Sequence, residues 1–94
     1  MKHPIIYIQA AGGRLRVVPD MPAAIRTLDA SGDPRPIILF ERRTRKIDLQ
    51  NIRLLRSQYP QSAIILLTGT LDATERKAYL EAGTNSALRP DTDD

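Results

Sequence analysis

The sequence has no cysteine, no tryptophan and a single histidine, His3. Without thiols there are no disulfides and no thiolate metal sites, which fits a cytoplasmic protein. One histidine leaves no multi-histidine metal site and a poor basis for a histidine-based catalytic triad. Tyr7, Phe40, Tyr59 and Tyr79 are the aromatic residues, scattered and never interleaved with basic ones. That argues against single-stranded nucleic-acid binding. No apolar run approaches the roughly 18 residues of a membrane-crossing helix. The opening MKHPIIYIQAAGG is too short and too strand-like for a signal peptide, so none is expected.

A chain of 94 residues makes one domain with one modest core. The domain is expected over 1–90, followed by an acidic tail over 91–94. Fourteen basic and 11 acidic residues give a net charge of +3, and their placement says more than their sum. Arg42, Arg43, Arg45 and Lys46 crowd one segment, while Asp91, Asp93 and Asp94 close the chain. Such a segment is either a solvated loop or a surface for an anion or acidic partner.

Two stretches, PIILF (36–40) and AIILL (63–67), are apolar without alternation. Strands buried on both faces of a parallel sheet have this pattern. Pro4 to Gln9 is a further strand, and Ala10-Ala11-Gly12-Gly13 a turn. Arg14 to Val18 alternates polar and apolar as a half-exposed strand. Two strands this close in sequence pair as a hairpin, so the sheet is mixed.

Asp20 is an N-cap and Pro22 a first-turn residue for a helix ended by Ser31-Gly32-Asp33-Pro34. Leu49, Ile52 and Leu55 or Arg56 space a second helix from about Lys46 or Asp48 to Gln58, stopped by Tyr59-Pro60. Asp72 and Glu75 stand at capping-box spacing before a third helix, with Gly83 at its end. A short last strand covers Ser86 to Leu88. The order is β-β-α-β-α-β-α-β, an α/β fold with a mostly parallel central sheet.

AIILLTG followed by LDATERKAYLEAGTN, with ALRP further on and DLQNIRLLRSQYP before, resembles the receiver domain of bacterial response regulators. The likeness runs from Arg14 onward. It implies a truncated flavodoxin-like or CheY-like fold with an N-terminal hairpin. It also implies that Thr68 stands at the switch position, with Arg89 and Pro90 at the Lys-Pro signature.

The chain departs from that pattern where phosphorylation needs it. The acidic pair that holds Mg²⁺ would fall around Gln9, Ala10 and Ala11, where there is no carboxylate. The phosphoacceptor position falls on Phe40 or, with one residue of slip, on Glu41. Arg89 keeps a charge but not the ammonium geometry of a lysine. A hard divalent cation needs several oxygen ligands. The resemblance therefore implies no Mg²⁺-dependent phosphorylation, no metal site, no cofactor and no catalytic residues. A Glu41 charge near Thr68 would mimic a phosphorylated state.

The family's first and fifth helices, which share one sheet face, are missing. Residues of the strands at Ile37, Ile38, Leu39, Ile64, Ile65 and Leu66 are then expected on an uncovered face. An obligate homodimer would cover it, and the surface of another signalling protein is the other candidate. The expected function is a phosphorylation-independent pseudo-receiver, a dimeric protein–protein interaction module in two-component-type signalling. One alternative is a sensor of small anionic ligands or nucleotides using Arg42, Arg43, Arg45 and Lys46. Another is a DNA-binding accessory protein, though no helix-turn-helix can be drawn.

Overall fold

A computed structural model describes residues 6–10, 12–42, 44–69 and 71–88. The chain first reverses at its glycine pair. Gly12 takes φ 72°, a region costly for any residue with a Cβ, and Gly13 N–H donates to Ala10 C=O at 2.9 Å. The turn joins β1 (Ile6–Gln9) to β2 (Arg16–Val18) as an antiparallel pair. Arg14 and Leu15 precede β2 rather than opening it. Pro4 and Ile5, expected in the first strand, lie outside the described residues, as do Arg89, Pro90 and the acidic tail.

Helix α1 (Met21–Ser31) starts where Asp20 accepts a hydrogen bond from Ala23 N–H at 2.9 Å, and it ends at Gly32. β3 (Ile37–Glu41) follows. α2 (Arg45–Gln58) begins after Thr44, so Arg45 and Lys46 belong to a helical first turn and not to a basic loop. Tyr59 closes it, its N–H donating to Leu55 C=O at 2.8 Å. β4 (Ala63–Leu67), α3 (Ala73–Ala82) and β5 (Ser86–Leu88) complete the order. Asp72 caps α3 through Glu75 N–H at 2.7 Å. The Glu75 carboxylate does not close the box on its own helix; Arg42 engages it instead.

The sheet has five strands in the order β2-β1-β3-β4-β5. β1 is antiparallel to both neighbours, while β3, β4 and β5 are parallel. Hence β2, β3, β4 and β5 run one way and β1 runs against them. The expected mixed sheet is present, and the reversed strand is the first.

From β2 onward the chain crosses the sheet in one direction, with a helix at each step. Right-handed crossovers taken always in the same direction put every helix on the same face. The core shows this. Ile6, Ile8, Val18, Ile38, Phe40, Ile64 and Leu66 are buried in one cluster with Ala24 and Leu28 of α1, Ile52 and Leu55 of α2, and Tyr79 and Ala82 of α3.

The register fixes what lies on the other face. Val17, Tyr7, Leu39, Ile65 and Ser86 form one row, and Gln9, Ile37 and Ala63 another. Val17 is 64% exposed and Ile37 39%, while Leu39, Ile65 and Leu67 are partly exposed. The expectation that six strand residues share an uncovered face is corrected here. Ile37, Leu39 and Ile65 are on it, but Ile38, Ile64 and Leu66 are completely buried beneath the helices. The reason is the two-residue period of a strand, which sends neighbours to opposite faces.

Candidate functional site at the carboxyl edge of the parallel strands

Beyond the carboxyl ends of β3 and β4 the register carries on for one more residue. Glu41 pairs with Leu67, and Arg42 N–H donates to Leu67 C=O at 2.9 Å. Arg42 therefore stands beside Thr68, both on the helix-covered side. Thr68 is buried. Neither expected phosphoacceptor residue is there. Phe40 is fully buried in the core. Glu41 points to the open face, where the Tyr7 hydroxyl donates to its Oε2 at 3.3 Å. A Glu41 charge acting on Thr68 is thus corrected: the two side chains are on opposite sides of the sheet.

Arg42 Nη2 pairs with Glu75 Oε2 of α3 at 2.6 Å. Below it, the Tyr79 hydroxyl of α3 donates to Asp48 Oδ2 of α2 at 3.0 Å. Asp48 is wholly buried, although it is a carboxylate. Arg42 Nε is buried with no hydrogen-bond partner among the described residues.

The Tyr79 hydroxyl is the main influence holding the Arg42 guanidinium above its ordinary pKa; partial desolvation opposes it and Glu75 adds to it. Burial raises the Tyr79 phenol above its ordinary value, opposed by Arg42 and reinforced by Asp48. The hydrogen bonds of these two groups run to Glu75 and Asp48, and the guanidinium and the phenol act on each other through proximity. The cluster spends its charges on one another: a guanidinium on a carboxylate, and a neutral phenol on a buried carboxylate. It joins β3, α2 and α3.

A divalent cation does not fit here. The side chain aligned with Thr68 is a cation, and like charge repels a metal ion. The positions after the first strand, Gln9 and Ala10, are also at the wrong end of the sheet, because β1 is reversed. Among the described residues, no three His, Cys, Asp or Glu side chains gather as a metal set.

The basic residues expected to act together are divided between the end of β3 and the start of α2. Arg42 is engaged by Glu75, Arg45 and Lys46 project from the start of α2, and Arg43 lies outside the described residues. Asp48 was missed, although its position marks it. Asp48, Ile52 and Leu55 follow the i, i+4, i+7 spacing of one helix stripe, which buries the acid with the apolar residues.

A second polar hub lies at the other end of α2. Arg56 donates from Nε and Nη2 to Gly83 C=O at 3.1 and 2.7 Å, and from Nη1 to Pro60 C=O at 2.9 Å and Ser62 C=O at 2.8 Å. Nη2 also reaches Asn85 Oδ1 at 2.7 Å, which accepts from Ile64 N–H at 2.8 Å. One side chain thereby ties together the end of α2, the start of β4 and the turn before β5. No protein-family model matches the chain, and no curated protein sequence matches it.

Proposed function

We propose that this chain is a receiver-like interaction module without phosphoryl chemistry, which works in signal transduction or regulation by associating through its open sheet face. The observation that carries this reading is the apolar row Val17, Leu39 and Ile65, flanked by Ile37, Ala63 and Leu67, on a face that no described helix covers. Each large apolar side chain left in water forgoes roughly 1.5–3 kcal/mol. The strand order also supports the receiver likeness, since flavodoxin-like sheets run 2-1-3-4-5. The first strand, reversed here, is the departure. The loss of phosphoryl chemistry is supported by the two candidate phosphoacceptor positions, since Phe40 is buried in the core and Glu41 lies on the open face, away from Thr68.

The partner that best fits is a second copy. No described Lys or Arg lies in the rows of the face, and its one described acid, Glu41, is held by Tyr7. Such a face suits another like itself. Its size sets the strength. With strands about 4.8 Å apart and residues about 3.3 Å along them, it measures roughly 400 Å² in plan. Two copies cover about 800 Å², below the roughly 1,200 Å² at which stable interfaces begin. The dimer is therefore reversible, in place of the obligate one expected from the sequence.

Sedimentation equilibrium tests this. The wild-type chain should shift from monomer to dimer across micromolar to millimolar concentration. Ile65→Arg should stay monomeric and folded, and Leu54→Arg on the outer side of α2 should dimerise as wild type. A wild-type chain that stays monomeric at millimolar concentration overturns the reading, as does an Ile65→Arg chain that still dimerises.

A further inference from the structure

We propose that the cavity between the β1–β2 turn and the last turns of α1 binds a small phosphomonoester with a hydroxylated body. This site lies at the opposite edge of the sheet from the Arg42 cluster and goes beyond the association reading. The cavity is open and holds about 300 Å³, the lower end of the range for small-molecule sites. Its apolar floor is Ile8, Ala10 and Ala30.

Its cations are Arg14 and Arg16. Arg16 pairs with the buried Ile8, so it stands on the helix side of the sheet, where Ile6, Ile8 and Val18 are apolar. Arg14, two residues away, lines the same cavity. Among the described residues no carboxylate lines it, and neither arginine has an ion pair. Two cationic residues on the lining of one small space repel each other until an anion lies between them. Two planar forks match the three oxygens of a phosphate better than the two of a carboxylate.

The hydroxyls select the rest of the ligand. Thr27 Oγ1 already donates to Ala23 C=O at 2.9 Å, and Ser31 Oγ to Leu28 C=O at 2.7 Å. Ser31 Oγ also accepts from Asp33 N–H at 3.2 Å. The Thr27 oxygen is left as an acceptor, so the ligand must bring a donor such as a sugar hydroxyl. The carboxyl end of α1 is nearby, with no basic residue in its last turn. It carries roughly half a negative charge, so one arginine would barely outweigh it and both are needed.

The reversal of β1 explains the location. Open α/β sheets bind ligands beyond the carboxyl ends of their strands. The carboxyl end of β1, at Gln9 and Ala10, is turned to this edge. Gln9 Nε2 braces the turn through Gly13 C=O at 3.3 Å.

The test is a titration of ¹⁵N-labelled protein with ribose 5-phosphate, inorganic phosphate and ribose. Ribose 5-phosphate should produce saturable shifts at Gly12, Gly13, Arg16, Ala30 and Ser31. Inorganic phosphate should bind about tenfold more weakly, and ribose not at all. Arg14→Gln and Arg16→Gln should each lower affinity about tenfold or more, with unchanged circular dichroism, since both side chains are exposed. Thr27→Val should weaken ribose 5-phosphate but not inorganic phosphate. The proposal is overturned if no saturable shifts appear by roughly 10 mM, if both arginine variants bind like wild type, or if the shifts gather at Arg45 and Lys46.

Discussion

The Tyr79 hydroxyl donates to Asp48 Oδ2 at 3.0 Å across the contact between α2 and α3, and both side chains are almost wholly buried. A carboxylate in such a place depends on its hydrogen bonds, because a charge out of water is costly. Tyr79→Phe keeps the ring and deletes this donor. It should lower stability by about 1.5–3 kcal/mol, read by urea unfolding at neutral pH. A change under about 0.5 kcal/mol would show that the bond contributes little.

Two tyrosines should titrate late. Burial, then Asp29, pushes the Tyr59 phenol up to about 12, and burial raises Tyr79 as well. The unfolded chain deprotonates tyrosine near about 10. Both groups are therefore neutral in the fold, and their contribution to stability is complete below about pH 10. Above it the unfolded chain loses protons first, so stability should fall as pH rises through 10 towards the folded values. Urea midpoints from pH 8 to 11.5 test the sign, and Tyr59→Phe should flatten part of the fall.

Gly83 should tolerate alanine far less than Gly32. Both have positive φ, 134° and 67°. A Cβ at Gly83 would come within 2.9 Å of Arg56 Cβ, whereas at Gly32 it would meet nothing within 4 Å. Gly32→Ala should cost about 1 kcal/mol, the price of the left-handed backbone. Gly83→Ala should cost about 2–4 kcal/mol, because it also displaces Arg56 from its carbonyls. Equal losses in thermal unfolding would show that the contact relaxes freely.

Arg56→Lys should behave nearly as badly as Arg56→Ala. The guanidinium serves Gly83, Ser62, Pro60 and Asn85 at once, and an ammonium cannot span that fan. A loss of roughly 2–3 kcal/mol is expected for either change. Recovery of most of the stability by lysine would reduce the hub to a single charge contact.

Incubation with acetyl phosphate or beryllofluoride in Mg²⁺ should leave the mass and the spectrum of the protein unchanged. Arg42 stands beside Thr68, Glu41 is on the other side of the sheet, and the nearby Glu75 and Asp48 carboxylates are engaged by Arg42 and Tyr79, so none is placed to accept a phosphoryl group beside Thr68. A phosphorylated product would reverse this reading.

Helices and strands set by contacts within a few residues were legible in the sequence. Asp20 and Asp72 are caps, Gly32 and Gly83 are stops, and apolar PIILF and AIILL are strands, because each is set by contacts within a few residues. The two glycines after Ala10 also determined the hairpin. Which face each strand residue serves was not legible, because doubly apolar strands have no alternation. Ile38 and Ile37 differ only once the crossovers place the helices. The site at the carboxyl edge was legible only in part. Arg42 stood out by charge, but its neighbours Asp48, Glu75 and Tyr79 come from other elements, with Glu75 33 residues away. Tertiary structure alone decided that β1 runs backwards. That reversal separates Gln9 from Arg42, leaves one face of the sheet without a described helix, and opens a cavity at the edge where a purely parallel sheet would present only the starts of its strands.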